Sequence, residues 1–258
     1  MKVDRHWQMK QYLLERKAVT NKELCDNFNI SIETVRRDLT TLEEEGVLRR
    51  VYGGAVLADD NIMPELMQPW ATRYQQNQAE KAAIAQEVLK YIPNNATIAL
   101  DSGTTIFSIA QLLKQRSNLT IITNCMRSAL EISLNSTHNI YCVGGLLKKD
   151  EVITTGFFAV DFLNYFSRID LAIIGADGLD TDKGVTDFSV EMGMLKRIMV
   201  EKADKVILAT DNSKFASNAL YKSCSIEDID IVITDAGTSA ENVKALRHRG
   251  IEVMQVHP

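Results

Sequence analysis

Apolar side chains recur along this chain with two different periods, and the change from one to the other divides it. Through residue 57 the spacing is mostly helical. Met9, Leu13 and Leu14 form a stripe that predicts a first amphipathic helix, Leu24 and Phe28 a short second one, and Ile32, Val35, Leu39 and Leu42 a third. Thr20 and Glu23 have the spacing of a capping box, Ser31 is a good N-cap for the third helix, and Gly46 is its stop signal. Three residues, Asn29 to Ser31, separate the second and third helices, the tight joint of a helix-turn-helix. Val47 to Val51 is then apolar and basic, Gly53-Gly54 supplies a turn, and Ala55-Val56-Leu57 returns, which predicts a hairpin.

Regular pattern lapses from Ala58 to Asn77, where Asp59-Asp60-Asn61, Pro64, Pro69 and a glutamine-rich patch suit a linker. It resumes with Ile84, Val88, Leu89 and Ile92 on a helix opening near Ala79. Beyond Ala96 short apolar runs alternate with helical stretches. The runs are Thr97 to Leu100, Leu119 to Ile122, Ile140 to Val143, Leu171 to Ile174, Val206 to Ala209, Ile231 to Ile233 and Glu252 to Val256. Strands that alternate with helices pair in parallel through right-handed crossovers, so an α/β, doubly wound, mostly parallel domain is expected over 78–258, after a small helical domain over 1–57 and a linker over 58–77.

Composition narrows the class. The net charge of -5 argues against a generic nucleic-acid coat, and residues 1–57 carry only one more Lys and Arg than Asp and Glu. Any nucleic-acid contact there must rest on where the arginines point. Cys25, Cys125, Cys142 and Cys224 lie far apart, and His6, His138, His248 and His257 show no ligand spacing with them, so neither a metal site nor any other cofactor is expected. No apolar run is long enough to span a bilayer and the N-terminus lacks a signal-peptide core, which predicts a soluble, cytoplasmic chain without a membrane partner.

On the third helix the apolar stripe leaves Glu33, Thr34, Arg37 and Thr41 on the opposite face, with Arg36 at its edge and Ser31 at its start. Second helices of a helix-turn-helix lie in the major groove, so Arg37 and Thr34 are offered to base edges, while Arg49 and Arg50 on the hairpin would lie against phosphates as a wing. The acidic run Glu43-Glu44-Glu45 sits where a DNA backbone should not. The motif T-V-R-R-D-L-x-x-L-E-x-x-G followed by L-x-R-x-Y-G-G-A resembles the N-terminal winged helix of DeoR-type bacterial regulators of sugar metabolism, over about residues 3 to 57. Tyr52 stands where the family pattern most often has His.

Ligands of doubly wound sheets gather beyond the carboxyl ends of the strands. Here those ends read Asp101-Ser-Gly-Thr-Thr105, Thr123-Asn124, Gly144-Gly145, Gly175-Ala-Asp177-Gly178 and Asp211-Asn-Ser-Lys214. Together they offer hydroxyl, amide, carboxylate and ammonium groups, the inventory for a polyhydroxylated ligand carrying a phosphate. The first of them opens directly into a helix, whose N-terminus favours an anion. D-S-G-T-T, T-N, V-G-G, G-A-D-G, E-x-x-x-x-K and D-x-S-K-F resemble the effector domain of the same regulators. That resemblance implies a phosphate on Ser102, Gly103, Thr104 and Thr105, and a sugar facing Asp101, Asn124, Gly145, Asp177 and Lys214, with Glu191 and Lys196 on the following helix.

The same domain resembles ribose 5-phosphate isomerases, whose pattern reads D-G-A-D-E, a Lys-Gly-Gly-Gly turn and Arg-Glu-Lys. This chain has Asp177-Gly178, Gly184-Val-Thr-Asp187 and Leu195-Lys196-Arg197 instead, so the second carboxylate, the turn lysine and the general-base glutamate are missing. The isomerase alternative lacks the carboxylate base that aldose-ketose chemistry needs. The expectation is therefore a non-enzymatic repressor of a carbohydrate-utilisation operon, a homo-oligomer on double-stranded operator DNA, controlled by a sugar phosphate.

Overall fold

Three helices and a three-stranded antiparallel sheet make the first of two compact units, Met1–Gln68 and Pro69–Pro258, in a computed structural model that describes residues 2–16, 18–44, 47–51, 53–57, 70–134, 137–217, 219 and 221–258. The first unit runs α1 (Lys2–Arg16), β1 (Ala18–Thr20), α2 (Asn21–Phe28), α3 (Ile32–Glu44), β2 (Leu48–Val51) and β3 (Gly54–Leu57). Its sheet has the order β1-β3-β2. The hairpin of β2 and β3 is the expected wing, and β1, too short to show a period, closes its other side.

Both anticipated N-caps are present, and the stop signal at Gly46 lies outside the described residues. The Thr20 hydroxyl accepts from the Glu23 amide at 3.2 Å while the Glu23 carboxylate accepts from the Thr20 amide at 2.7 Å. Asn29 leaves α2 with a φ of 49°, the left-handed conformation asparagine tolerates in a tight turn. Ser31 Oγ accepts from the Thr34 amide at 3.3 Å. Met9, Leu13, Leu24, Val35, Leu39 and Leu42 then meet Val47, Leu48 and Ala55 in one core, so the helical stripe read in the sequence is the packed face.

Most of the expected linker, residues 58–69, lies outside the described residues. The remainder differs from expectation, because Trp70–Gln75 is a helix, α4, that belongs to the second unit. Its four polar residues and short length hide it from a periodicity argument. Then follow α5 (Gln78–Lys90), β4 (Thr97–Leu100), α6 (Thr104–Leu112), β5 (Thr120–Thr123), α7 (Met126–Ser133), β6 (Asn139–Cys142), β7 (Leu146–Lys148), β8 (Ile153–Thr155), α8 (Phe157–Asn164) and β9 (Leu171–Ile174). The chain continues through β10 (Gly178–Asp180), β11 (Gly184–Asp187), α9 (Val190–Lys202), β12 (Val206–Ala209), a 3₁₀ turn (Asn212–Ala216), β13 (Tyr221–Cys224), β14 (Ile231–Asp235), α10 (Ala240–His248) and β15 (Glu252–Val256).

All seven expected strands join one sheet of order β15-β14-β12-β9-β4-β5-β6, and every pairing in it is parallel. Both faces are covered, which explains why its strands read as continuous apolar runs rather than alternating ones. Ile98, Leu100, Ile121 and Ile173 pack under α5 and α6, while Ala99, Ile122, Ala172 and Ile174 pack under α8 and α9. Two smaller antiparallel pieces, β7-β8 and β10-β11-β13, sit beside the sheet and had no sequence signal strong enough to find them. Strand order turns around between β4 and β9: β5 and β6 build outward on one side of β4, and β9, β12, β14 and β15 on the other. A crevice opens at such a reversal beyond the strands' carboxyl ends.

Candidate functional site

On the first unit, α3 presents Ser31, Glu33, Arg36 and Arg37 to solvent, with Thr34 and Thr41 half-buried beside them. The Thr41 hydroxyl donates to the Arg37 carbonyl at 3.2 Å. Arg50 is exposed on the wing, yet its guanidinium donates to Thr40 Oγ1 at 2.8 Å and its amide to Glu43 at 2.7 Å, so in this state the arginine leans on α3 instead of standing clear. The side chain of Arg49 lies outside what the structure describes. The face is held by a residue the periodicity did not single out. Asp38 is 1 % exposed and accepts from Arg5 Nε at 2.7 Å and Nη2 at 3.1 Å, with His6 Nε2 at 2.9 Å. Burial alone would raise this carboxyl, but the Arg5 and His6 hydrogen bonds outweigh it and lower its pKa. The pairing locks α1 across the buried side of α3.

In the second unit the reversal between β4 and β9 is bridged directly. Asp101, at the end of β4, accepts from the Gly175 amide, at the end of β9, at 3.1 Å. Lys196 reaches the same place from α9. It is 2 % exposed, donates to the Gly175 carbonyl at 2.8 Å and to Asp187 Oδ1 at 2.6 Å, and lies 3.4 Å from Asp101 Oδ2. Burial by itself would depress this ammonium, but Asp101, Asp187 and Asp177 outweigh it and raise its pKa. Asp187 is pushed up to about 6, first by burial and then by Asp177 and Asp101, against the pull of Lys196. The Ser223 hydroxyl donates to the other Asp187 oxygen. Asp177 accepts from the Phe188 amide at 3.1 Å.

Around this cluster the loop Asp101 to Thr105 runs directly into α6. Gly103 has a φ of 118° with no atom near the position of a Cβ, and the nine-residue helix α6 starts directly after it. Ser102, Thr104 and Thr105 are all buried. Gly145 has a φ of 145°, and a Cβ there would come within 2.4 Å of the Thr155 carbonyl, so only glycine lets β8 pass this close to the end of β6. Asn124 Nδ2 donates to the Thr154 carbonyl at 3.1 Å and leaves its Oδ1 without a partner. Lys214 is half-buried on the 3₁₀ turn after β12.

Seven buried side-chain polar atoms among the described residues lack a hydrogen-bond partner in the protein, and five of them cluster at these strand ends: Ser102 Oγ, Asn124 Oδ1, Arg127 Nε, Ser128 Oγ and Thr210 Oγ1. Leaving such a group unpaired costs ~1–3 kcal/mol, so their concentration in one place marks a surface shaped for a polar ligand.

Glu191 departs from its expected company. Five residues ahead of Lys196, it faces away from the buried cluster, accepts from Lys148 at 3.0 Å and from the Ser189 hydroxyl at 2.7 Å, and its pKa falls to about 2 through those contacts. Lys196 conversely is no member of a surface pair, being among the most buried side chains of the chain. Arg127, Ser128 and Thr210 were absent from the sequence reading, and Asp187 entered it only in the contrast with isomerases, not as a site residue. Thr210 could have been found, since it extends the β12 end by the same rule that picked Asp211 to Lys214. Asp187 sits on an antiparallel strand that the alternation of strand and helix does not anticipate.

No described helix is long and apolar enough to cross a membrane, and the described residues contain no group of three His, Cys, Asp or Glu able to hold a metal ion.

The chain matches the DeoR-like helix-turn-helix domain over residues 5–61 and the DeoR C terminal sensor domain over residues 76–236. It is 32 % identical over 249 residues to the glycerol-3-phosphate regulon repressor of Escherichia coli, covering 96 % of this chain and 97 % of that one. It is 35 % identical over 236 residues to the transcriptional repressor AccR of Agrobacterium fabrum, covering 91 % and 90 %, and 30 % identical over 243 residues to the repressor GlcR of Bacillus subtilis, covering 94 % and 92 %. Among solved structures, ribose 5-phosphate isomerase A of Methanocaldococcus jannaschii aligns with a TM-score of 0.41 at 16 % identity over 54 % of this chain and 55 % of that one. The full-length sorbitol operon regulator SorC of Klebsiella pneumoniae aligns with a TM-score of 0.39 at 11 % identity over 99 % and 96 %. With a helix-turn-helix head, a sensor domain and repressors as relatives along nearly its whole length, this chain belongs to the DeoR family and is a DNA-binding transcriptional regulator, not an enzyme.

Proposed function

We propose that the protein represses a carbohydrate-utilisation operon and that a phosphorylated sugar, held at the carboxyl ends of the parallel strands, sets its affinity for the operator. In this reading residues 1–57 are the DNA-binding head, 58–77 the connection and 78–258 the sensor. The observation that carries it is the group of buried, unpartnered polar atoms at the strand ends, Ser102 Oγ, Asn124 Oδ1 and Thr210 Oγ1 among them, arranged about the bare N-terminus of α6. The N–H groups of Gly103, Thr104 and Thr105 suit a phosphate, since they are the unpaired donors of a helix start and the helix dipole adds to their charge. Asp101, Asp177 and Asn124 suit sugar hydroxyls, as acceptors for their protons. Lys196 stands beside Asp101 and holds Gly175 in place. Gly145 and Lys214 border the same ends, while Glu191 pairs with Lys148 outside the buried cluster.

On the head, Arg37 and Thr34 face base edges, and Ser31, Glu33, Arg36 and Thr41 line the same face, with Arg49 and Arg50 offered to the backbone from the wing. One head makes few contacts, so the chain acts as a homo-oligomer whose paired heads reach half-sites about one helical turn, ~34 Å, apart. Such a regulator works in the cytoplasm and needs no membrane. A ligand shifts operator affinity only by its preference between two states, commonly ~1–3 kcal/mol.

Two substitutions separate the halves of this reading. Arg37→Ala is expected to abolish specific operator binding in a gel-shift titration while sugar-phosphate stabilisation in a thermal-shift screen persists. Thr104→Glu places a carboxylate at the phosphate position, so stabilisation is expected to vanish while operator binding persists. Unchanged stabilisation in Thr104→Glu moves the phosphate elsewhere, and unchanged operator affinity in Arg37→Ala removes α3 from recognition.

A further inference from the structure

All ten exposed large apolar side chains among the described residues fall between Leu130 and Met194 of the second unit. Leu130 and Leu134 are 64 % and 72 % exposed at the end of α7, Leu146 is 70 % exposed on β7, Phe157 and Phe158 are 76 % and 74 % exposed at the start of α8, and Tyr165 is 81 % exposed just past its end. Those on β7 and at the start of α8 adjoin one another. The Phe157 and Phe158 rings lie 5.7 Å apart, and Leu146 packs over Gly156, which precedes them. Strand β6 runs between the two groups, since α7 packs against it and β8 while Tyr141 of β6 meets Phe166 at 5.5 Å.

The patch therefore wraps the β6 edge of the sheet, and that edge is undefended. Its residues, Asn139-Ile-Tyr-Cys142, include no lysine, proline or acid, the groups by which sheet edges are usually kept from pairing. The opposite edge differs. Strand β15 begins with the exposed Glu252, which accepts from the Tyr91 hydroxyl at 2.9 Å, and Arg247 donates to the Val253 carbonyl at 2.9 Å. Lone proteins seldom expose a contiguous apolar patch beyond a few hundred Å². Side chains of this number and exposure sum to on the order of 800 Å², the area that one partner contributes to a stable interface of standard size.

We infer that this flank is where a second copy of the chain binds, two β6 edges meeting about a two-fold axis with α8 of each copy covering the other's apolar patch. The inference rests on the regulator reading in one respect: a single recognition helix per chain calls for two copies on a two-fold site. The chemistry of the flank favours a like partner. Lys148 of β7 is already paired to Glu191, which takes that charge out of a contact between like surfaces. An anionic lipid surface would want a basic rim, whereas Glu131 and Asp161 border the patch in a chain of net charge -5.

The test is sedimentation velocity on the full chain at micromolar concentration, with operator titration alongside. Wild type is expected to sediment as a dimer or a multiple of it. Phe157→Asp with Phe158→Asp is expected to halve the sedimenting mass and weaken operator binding, while sugar-phosphate stabilisation remains. Leu146→Lys, on a different element, provides the same reading should the first variant fail to fold, as judged by near-ultraviolet circular dichroism. Lys244→Glu, exposed on α10, is expected to leave the assembly intact. A monomeric wild type, including one that floats with phosphatidylglycerol vesicles, overturns the inference, as do patch variants that stay associated or a Lys244→Glu chain that dissociates. A dimer broken by the patch variants but without operator affinity would sink the regulator reading and leave the surface standing. A monomer that binds operator does the reverse.

Discussion

Single residues carry more of this design than their sequence neighbourhoods advertise. Lys196 lies on a helix in which polar and apolar residues mix, so nothing in the spacing distinguishes it from a solvent-facing lysine, and only its burial against Gly175, Asp187 and Asp101 shows that it holds the reversal of the sheet together. Asp38 is similar. It sits between Arg37, which faces solvent, and Leu39, which is core, and the sequence does not say which side it takes. Because Arg5 and His6 lower its pKa in the folded state, the pairing contributes stability that is fully present above the ordinary carboxylate value, near ~3.9, and is lost as pH falls through the lower folded value. Asp38→Asn is thus expected to destabilise the head by ~1–3 kcal/mol at neutral pH, by removing the charge and turning one of the two oxygens that Arg5 and His6 share into a donor. In thermal unfolding followed from pH ~5 to ~2, the gap to wild type should close. A gap independent of pH would show that packing, not charge, is what Asp38 supplies.

Among the elements, α4 is the one whose role only the structure assigns. It is six residues long, too short to be stable alone, and it is held by contacts to α6, to the start of α7 and to the β7-β8 turn. Trp70 stacks on Tyr74 at 4.9 Å, meets Phe107 of α6 edge-on at 5.2 Å, and carries the Arg127 guanidinium over its ring at 4.6 Å. Arg73 forms an ion pair with Glu151, beside the β7-β8 hairpin, at 2.5 Å, and Asn77 donates to Asp211 at 3.3 Å. Lys81, buried on α5, donates to the carbonyls of Arg73 and Gln76 and so closes the end of the helix. Any ligand that moves the start of α6 or α7 acts on α4, the element that follows the segment from the head. Trp70→Ala is expected to leave effector stabilisation and effector-free operator binding in place while the effector's influence on operator affinity, ordinarily ~5- to 150-fold, shrinks toward none. Operator titrations with and without effector measure this, and an undiminished ratio would remove α4 from the coupling path.

At the scale of the whole molecule, a chain of net charge -5 binds DNA only through a local cluster, so few phosphates do most of the electrostatic work. If the paired heads neutralise six or more phosphates, raising salt from ~50 to ~200 mM should weaken operator binding roughly 10³-fold. Sugar-phosphate stabilisation, which depends on buried groups, should change far less, and a flat salt response of operator binding would count against the arginine cluster. The two architectures were legible because each is written in local chemistry: the stripe of Val35, Leu39 and Leu42 with its caps, and seven apolar runs whose flanking helices force parallel pairing. The loops Asp101 to Thr105, Asn124 and Gly145 were legible too, since a strand's end fixes where its next residues go. Strand order was not. Nothing in the runs says that β9 lies beside β4, and that neighbourhood brings Asp101 to Gly175 and Lys196 to both. The linear sequence thus determined which segments become helix or strand and which polar groups crown them, because period, capping and turn chemistry act over a few residues. The tertiary structure decided which crowns meet, that Lys196 is buried while Glu191 is not, and that the flank from Leu130 to Met194 is left uncovered, because those outcomes depend on packing between segments dozens of residues apart.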